Sequence, residues 1–269
     1  MEHALKQSIE QAVMFSTLEA LRTWDTPCDR IYFGHEFCQR LMPSSEDVQQ
    51  ASALCTENKR PFSLVTPFVT NAGLELVQHS IRTLMEHAPE DVEIVVNDLG
   101  VLHWLHREYP TVAIALGRLL TKQKRGPRIL RIVDRLPPSA RAHFERSNVD
   151  ATHLTAFFRK IGVKRFELDN LLQGIRREGG MQASLYTPYA YVSTTRLCLL
   201  MSGDQPDKNL RSIGTCHKEC QHYNIALNHA DMPVPLHLQG NTQFFRNDKL
   251  PDDLVALNIT RLVHQPSLP

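Results

Sequence analysis

Residues 62–116 read FSLVTPFVTNAGLELVQHSIRTLMEHAPEDVEIVVNDLGVLHWLHREYPTVAIAL. Short runs of β-branched and apolar residues alternate here with longer stretches in which apolar residues recur at helical spacing. The pattern predicts strands at Phe62–Thr66, Val92–Val96 and Val112–Leu116, with helices at Asn71–His87 and Leu99–Tyr109. Because strands that alternate with helices form parallel sheets with helical crossovers, this stretch predicts an α/β fold.

The same alternation continues on both sides of this stretch. On the N-terminal side, Arg30–Gly34 is predicted as a strand and Ser44–Asn58 as a helix. On the C-terminal side, the predicted elements are the strands Ile129–Val133 and Lys164–Leu168 and the helices Ser139–Arg146 and Ala151–Ile161. An alternation over more than half of a 269-residue chain favours a closed, TIM-type barrel over a small doubly wound sheet.

The two ends of the chain depart from this pattern. Residues 1–27 are predicted as an N-terminal helical segment, because the apolar residues of Ala4–Leu21 recur at helical spacing. In the C-terminal third, Ser184–Val192 and Leu236–Phe245 are predicted to be extended, and Gly203–Gly214 is polar and typical of a loop. We therefore predict one barrel-like domain over residues 1–269, with a cysteine-bearing, metal-binding insertion at residues 198–220.

The composition excludes several classes of protein. With 42% apolar and 22% charged residues, the chain can form a full core and is not disordered by composition. Its formal charge of +1 provides no bulk attraction to nucleic acid. No run of eighteen apolar residues occurs, and charged residues interrupt Met1–Trp24, so we expect neither a membrane span nor a secretory signal. A cytoplasmic protein that does not bind nucleic acid is the resulting expectation.

Three of the six cysteines lie close together in the sequence. Cys216 and Cys220 are four positions apart, a spacing that lets two thiolates on one helical face reach one metal centre, and Cys198 precedes them. Candidates for a fourth ligand are Cys28, Cys38, Cys55, His217, His222 and His229. Four thiolates fit an iron–sulfur cluster or a structural zinc, whereas three thiolates and a histidine favour zinc. Of these candidates, Cys55 lies in an apolar helical pattern and is predicted to belong to the core.

Polar residues at strand ends are further candidates. Asp98 follows a predicted strand, at the end where barrels place their chemistry, but it also fits the N-cap of the next helix. Glu167 lies inside a predicted strand and is interpreted as a buried acid. The segment Gln239–Gln243 fits a turn, and its polar side chains are an alternative lining for a substrate pocket.

Several short motifs, taken in order, resemble the collagenase-like peptidase family. The motifs, which span residues 30 to about 245, are Ile31-Tyr32-Phe33-Gly34, Glu36-Phe37-Cys38-Gln39-Arg40, Val96-Asn97-Asp98-Leu99-Gly100, Arg196-Leu197-Cys198 and Cys216-His217-Lys218-Glu219-Cys220. They are most similar to the UbiU- and UbiV-type members, which are iron–sulfur proteins of anaerobic ubiquinone biosynthesis. The resemblance also implies a barrel-like fold.

The resemblance implies a ligand set and a reaction. Members of this type hold a [4Fe–4S] cluster through cysteines that match Cys38, Cys198, Cys216 and Cys220. Cys28, on the other side of the same short strand, stays open as an alternative to Cys38. The implied function is oxygen-independent hydroxylation of a small aromatic or quinone-precursor substrate in ubiquinone biosynthesis, with a related partner subunit in a heterodimer. The alternatives are a non-catalytic scaffold with a structural zinc site, and a peptidase.

Overall fold

A closed barrel of parallel strands forms the centre of the protein. The computed structural model describes residues 8–89, 91–178, 180–201 and 215–269. The strands in these ranges are β1 Glu10–Phe15, β2 Arg30–Gly34, β3 Phe62–Thr66, β4 Glu93–Val96, β5 Ala113–Leu116, β6 Val163–Asp169, β7 Ala183–Thr187, β8 Tyr189–Thr194, β9 Ile225–Leu227, β10 Leu236–Gln239, β11 Thr242–Arg246 and β12 Ile259–His264. The barrel contains β1 to β7 in chain order and is closed by β12, which pairs with β7 and β1. The predicted TIM-type fold is confirmed.

Helices cross over between the barrel strands. They are α1 Leu18–Arg22, α2 Ser45–Glu57, α3 Asn71–Met85, α4 Leu99–Glu108, α5 Pro138–Glu145 and α6 Thr152–Lys160. Asp98 is the N-cap of α4, since one of its carboxylate oxygens accepts from the amides of Gly100 at 2.7 Å and Val101 at 3.3 Å. Of the two interpretations of Asp98, the structure therefore shows the cap. None of the helices in the described residues is long and apolar enough to cross a membrane.

The remaining strands form a second, antiparallel sheet between β7 and β12. Its order is β8-β11-β10-β9, and β8 pairs with β11. The predicted extended segment Ser184–Val192 divides at the cis Thr187–Pro188 bond, with β7 in the barrel and β8 in this sheet. The predicted segment Leu236–Phe245 is the hairpin of β10 and β11. The polar segment Gly203–Gly214 lies outside the described residues.

The prediction of a helix over Ala4–Leu21 is wrong for its central part. Glu10–Phe15 is the strand β1, which pairs with β2 and β12, and among the described residues of this N-terminal segment only α1 is helical. A parallel barrel strand is buried on both faces and therefore lacks the alternation of apolar and polar residues that marks a half-exposed strand. The apolar run Ala12–Phe15 was consequently as compatible with a helix as with a strand.

The predicted strand Ile129–Val133 is also wrong. The segment forms two short 3-10 helices, Pro127–Arg131 and Val133–Arg135. Ile129 and Val133 are buried, but β5 pairs directly with β6, so the barrel has no position for a strand between them. Here the tertiary arrangement overrides a local apolar pattern.

The barrel interior contains a charged layer at the N-terminal ends of the strands. Arg261 donates through Nε to Glu10 at 2.6 Å and through Nη1 to Glu93 at 2.7 Å and to the Tyr32 hydroxyl at 2.6 Å. The Tyr32 hydroxyl in turn donates to Glu167 Oε1 at 3.1 Å. Glu167 is fully buried, as predicted from its place inside a strand, and burial together with the nearby charge of Glu93 raises its pKa to about 7.

Candidate thiol site

Four cysteines line one cavity at the C-terminal end of the barrel. The cavity has a volume of about 320 Å³, and its wall contains Cys38, Cys198, Cys216 and Cys220. It lies among the loops that follow β2 and β3 and the loops of the second sheet. The structure thus brings to one cavity the four cysteines that the family resemblance selects. The described part of its wall includes His35 but not His217, His222 or His229.

The other two cysteines lie elsewhere. Cys28 precedes β2, and its sulfur accepts from Arg60 Nη1 at 2.9 Å. Cys55 is buried in α2 within the main core, and burial raises its pKa to about 12. Cys28 is therefore at the opposite end of β2 from the cavity, and Cys55 is the core residue that the sequence predicts.

A buried histidine holds the loop that carries Cys38. The Nδ1 atom of His35 accepts from the amides of Phe37 and Cys38, both at 3.1 Å. Burial lowers the pKa of His35 to about 4, so the ring is neutral at physiological pH and Nδ1 stays free to accept. The preceding residue, Gly34, has φ of +138°, and a Cβ there would lie 2.1 Å from the carbonyl oxygen of Val65. The close approach of β2 and β3 therefore requires glycine at the start of this loop.

Backbone amides surround the sulfur of Cys198. This residue follows β8 and is half-buried, and the amides of Leu200 and Met201 donate to its sulfur. Burial raises the pKa of the Cys198 thiol above its ordinary value, while these amides act in the opposite direction. Hydrogen bonds to sulfur are among the features that set the properties of a thiolate-bound cluster.

The Cys216–Cys220 segment is a tight turn and not an α-helix. Lys218 has φ of +62° and donates from its amide to the Cys216 sulfur at 3.4 Å, and Glu219–Gln221 is one short 3-10 helix. Burial raises the pKa of Cys220 to about 11, and the proximity of Cys198, Cys38 and Cys216 contributes to that increase. Of the two arrangements that this spacing allows, a helix or a tight loop, the structure therefore shows the loop.

One asparagine joins the loops that carry the cysteines. Asn241 Nδ2 donates to the carbonyl oxygens of Phe37 and Thr195, both at 2.7 Å. Two positions before it, Gln239 donates through Nε2 to the carbonyl oxygen of Cys220 at 2.6 Å. Gly240, between them, has φ of +57°, and a Cβ there would lie 3.4 Å from Cys220. The segment is therefore both a turn, between β10 and β11, and part of the cavity wall.

We expect Asn241→Ala to loosen the site and lower the free energy of unfolding by about 2 kcal/mol, because the buried carbonyl group of Phe37 and the partly buried carbonyl group of Thr195 lose their donor. Urea denaturation measures the change. Asn228→Ala, at an exposed position, is the matched control and should leave the unfolding midpoint unchanged. Equal midpoints for the two variants would contradict the bridging role of Asn241.

Two arginines place positive charge beside the thiols. Arg40 and Arg196 both line the cavity. Arg196 lies over the ring of Phe68 and donates to the Val69 carbonyl oxygen at 2.9 Å, while Arg40 contacts the sulfur of Met201 at 3.9 Å. Cationic side chains at fixed positions favour an anionic occupant of the cavity.

The donor set and the volume fit a group larger than a single ion. A zinc ion bound by cysteine requires sulfur atoms about 2.3 Å from one point. In the described residues, no three His, Cys, Asp or Glu side chains are arranged to hold one metal ion. The four thiols instead lie on the wall of a cavity of about 320 Å³. Four cysteine thiols on one cavity wall are the number and type of ligand that a [4Fe–4S] cluster requires, with each thiolate on a different iron.

Two residues that were not among the candidates from the sequence also support this site. His35 holds the Cys38 amide, and Arg118 is fully buried beneath the loop, where its Nε donates to Glu36 at 3.1 Å and its Nη1 to Asp169 at 2.8 Å. A signal was present in each case, since both follow a predicted barrel strand within two positions, at the end where such folds place polar chemistry.

Some solved structures of other proteins are similar to this chain. No family model matches the chain, and no curated protein matches it. One similar structure is that of the U32 peptidase Mk0906, with a TM-score of 0.49 and 10% identity over 100% of this chain and 97% of that chain. Another is human YKL-39, described as a pseudo-chitinase with retained chitooligosaccharide binding, with a TM-score of 0.35 and 10% identity over 96% of this chain and 92% of that chain.

Proposed function

We propose that this protein binds one [4Fe–4S] cluster through Cys38, Cys198, Cys216 and Cys220. The observation that carries the proposal is that these four thiols, from three separate parts of the chain, line one cavity. Clusters of this type are held by four cysteine thiolates. The sequence motifs that resemble the UbiU- and UbiV-type proteins select the same four residues.

The surroundings of the cavity support the proposal. The amides of Leu200, Met201 and Lys218 donate to cysteine sulfurs, and Arg40 and Arg196 supply positive charge. A cluster bound by four thiolates is an anionic group, and hydrogen bonds to sulfur and nearby charge set its reduction potential. The bound cluster would supply one-electron chemistry.

The protein's own residues would hold and isolate this group. His35 and Asn241 position the backbone of the Cys38 loop, and Asn241 also fixes the start of the loop that leads to Cys198. From the family resemblance, we infer that the reaction is oxygen-independent hydroxylation of a small aromatic or quinone-precursor substrate, with a related subunit as partner.

Anaerobic purification should yield brown protein with about four irons and four acid-labile sulfides per chain. We expect Cys38→Ser to lose the iron and the visible absorption, because serine does not replace a thiolate ligand. Cys28→Ser is the matched control and should keep both, since its side chain contacts Arg60 and does not line the cavity.

Each other outcome identifies a different site. Zinc without sulfide would overturn the cluster in favour of a structural zinc. Loss of iron in Cys28→Ser, with retention in Cys38→Ser, would contradict the proposed ligand set.

A further inference from the structure

A second cavity lies beside the thiol cavity, also at the C-terminal end of the barrel. Its volume is about 250 Å³, and it is lined by residues that follow β1, β2 and β12, together with α1. Barrel enzymes bind their substrates at this end of the strands. His35 lines both cavities, so one buried imidazole forms part of the wall between them.

The size and lining of this cavity indicate a ligand with a single ring. A closed apolar cavity of about 150 Å³ accommodates benzene, so about 250 Å³ accommodates one ring with small substituents. Phe15 and Trp24 line the cavity and contact each other edge to face at 5.6 Å between ring centroids. Met14 and Pro266 add apolar surface.

The charges around the cavity exclude an anionic ligand. Lysine and arginine do not occur among the described residues of its wall, in contrast to the thiol cavity with Arg40 and Arg196. Its charged side chain is Glu36, whose carboxylate is already held by Arg118. A carboxylate in this cavity would be removed from water without a cationic partner.

His35 offers a hydrogen bond to such a ligand. Its Nδ1 accepts two amide hydrogen bonds, so the proton of the neutral ring is on Nε2. None of the hydrogen bonds that the described residues make with His35, two to Nδ1 and one from its backbone amide to Val65, involves Nε2. A ligand that pairs with the Nε2 donor of His35 needs an oxygen atom that accepts a hydrogen bond.

We propose that the second cavity binds a small uncharged aromatic ring that carries a hydrogen-bond-accepting oxygen, with His35 as the donor. For the reaction that follows binding, this inference rests on the proposed function. It names the class of substrate and places the substrate on the other side of His35 from the thiol cavity. Binding itself is measured without that reaction.

The probes are acetophenone, ethylbenzene and benzoate, which share a ring and differ in the acceptor and the charge. We expect acetophenone to bind about fivefold more tightly than ethylbenzene, because ethylbenzene leaves the donor unpaired. Benzoate should bind at least tenfold more weakly than acetophenone. Ligand-observed NMR titration gives the three dissociation constants.

Two variants test the location. Ala20 is an exposed residue of α1 at the cavity, and Ala20→Leu should weaken acetophenone binding at least tenfold by filling the space. Ala53→Leu, at an exposed position of α2, is the matched control. In His35→Asn the side-chain oxygen still accepts from the two amides but the Nε2 donor is lost, so acetophenone should bind no more tightly than ethylbenzene.

Iron and sulfide, measured on the same samples, separate the two proposals. Acetophenone binding to protein without iron would support the ring site and overturn the cluster. Four irons per chain with equal acetophenone binding in wild type and Ala20→Leu would overturn the ring site. Benzoate binding as tight as that of acetophenone would also overturn it.

Discussion

Replacement of Arg118 by methionine is expected to lower the free energy of unfolding by about 3–5 kcal/mol, because it leaves the buried Glu36 carboxylate without a cation and Asp169 with Arg125 as its remaining cation. Arg118 is fully buried, and its guanidinium binds both Glu36 and Asp169. Methionine keeps most of the length of the side chain, so the lost stability is due to the removed charge and not to a large cavity. Urea denaturation at pH 7 measures the change.

An exposed pair is the control for this variant. Arg246 binds Asp248 at 2.8 Å on the surface, and Arg246→Met should leave the urea midpoint unchanged. A second variant keeps the test informative if Arg118→Met does not fold. The double variant Arg118→Met, Glu36→Gln removes the unpaired carboxylate and should recover part of the stability, since Asp169 keeps its ion pair with Arg125 at 2.6 Å. An Arg118→Met midpoint equal to that of wild type would show that the network does not stabilise the barrel.

Glu167→Gln should stabilise the protein by about 3 kcal/mol above pH 7 and have little effect near pH 4.5. Burial raises the pKa of Glu167 from 4.5 to about 7 in the folded state. Between these values the folded protein binds a proton that the unfolded chain has released, so the contribution of this residue to stability is lost as the pH rises. Glutamine does not titrate and keeps an acceptor for the Tyr32 hydroxyl, which donates at 3.1 Å.

The measurement is the difference in unfolding free energy between Glu167→Gln and wild type at several pH values from 4.5 to 8. Other titrating groups are shared by the two proteins and cancel in this difference. The value at pH 4.5 serves as the internal control, since Glu167 is protonated there in the folded state. A difference that stays constant over the whole range would contradict the raised pKa.

Much of the barrel was predictable from local patterns. The bounds of β2 and β3 agree with the predicted strands Arg30–Gly34 and Phe62–Thr66, because each is a short apolar or β-branched run ended by glycine or by the residue before proline. The helices that follow were found from their caps and apolar spacing. The strand β1 was missed because a run buried on both faces has no period that separates strand from helix.

The candidate site was predictable only in part. Cys216 and Cys220 are near neighbours in the sequence, so their association is a local property of the chain. The place of Cys38 beside them came from the family resemblance and not from spacing. In the structure it depends on Asn241, which joins the carbonyl oxygen of Phe37 to that of Thr195 across more than 150 residues of chain.

By itself, the sequence determined the alternation of strands and helices, the class of barrel and the core position of Cys55, since each depends on residues within a few positions of one another. The tertiary structure decided which strand closes the barrel, which cysteines share a cavity, and that Arg118 meets Glu36 and Asp169. These contacts form between residues distant in sequence. They depend on strand order and loop closure, which no local pattern of apolar and polar residues encodes.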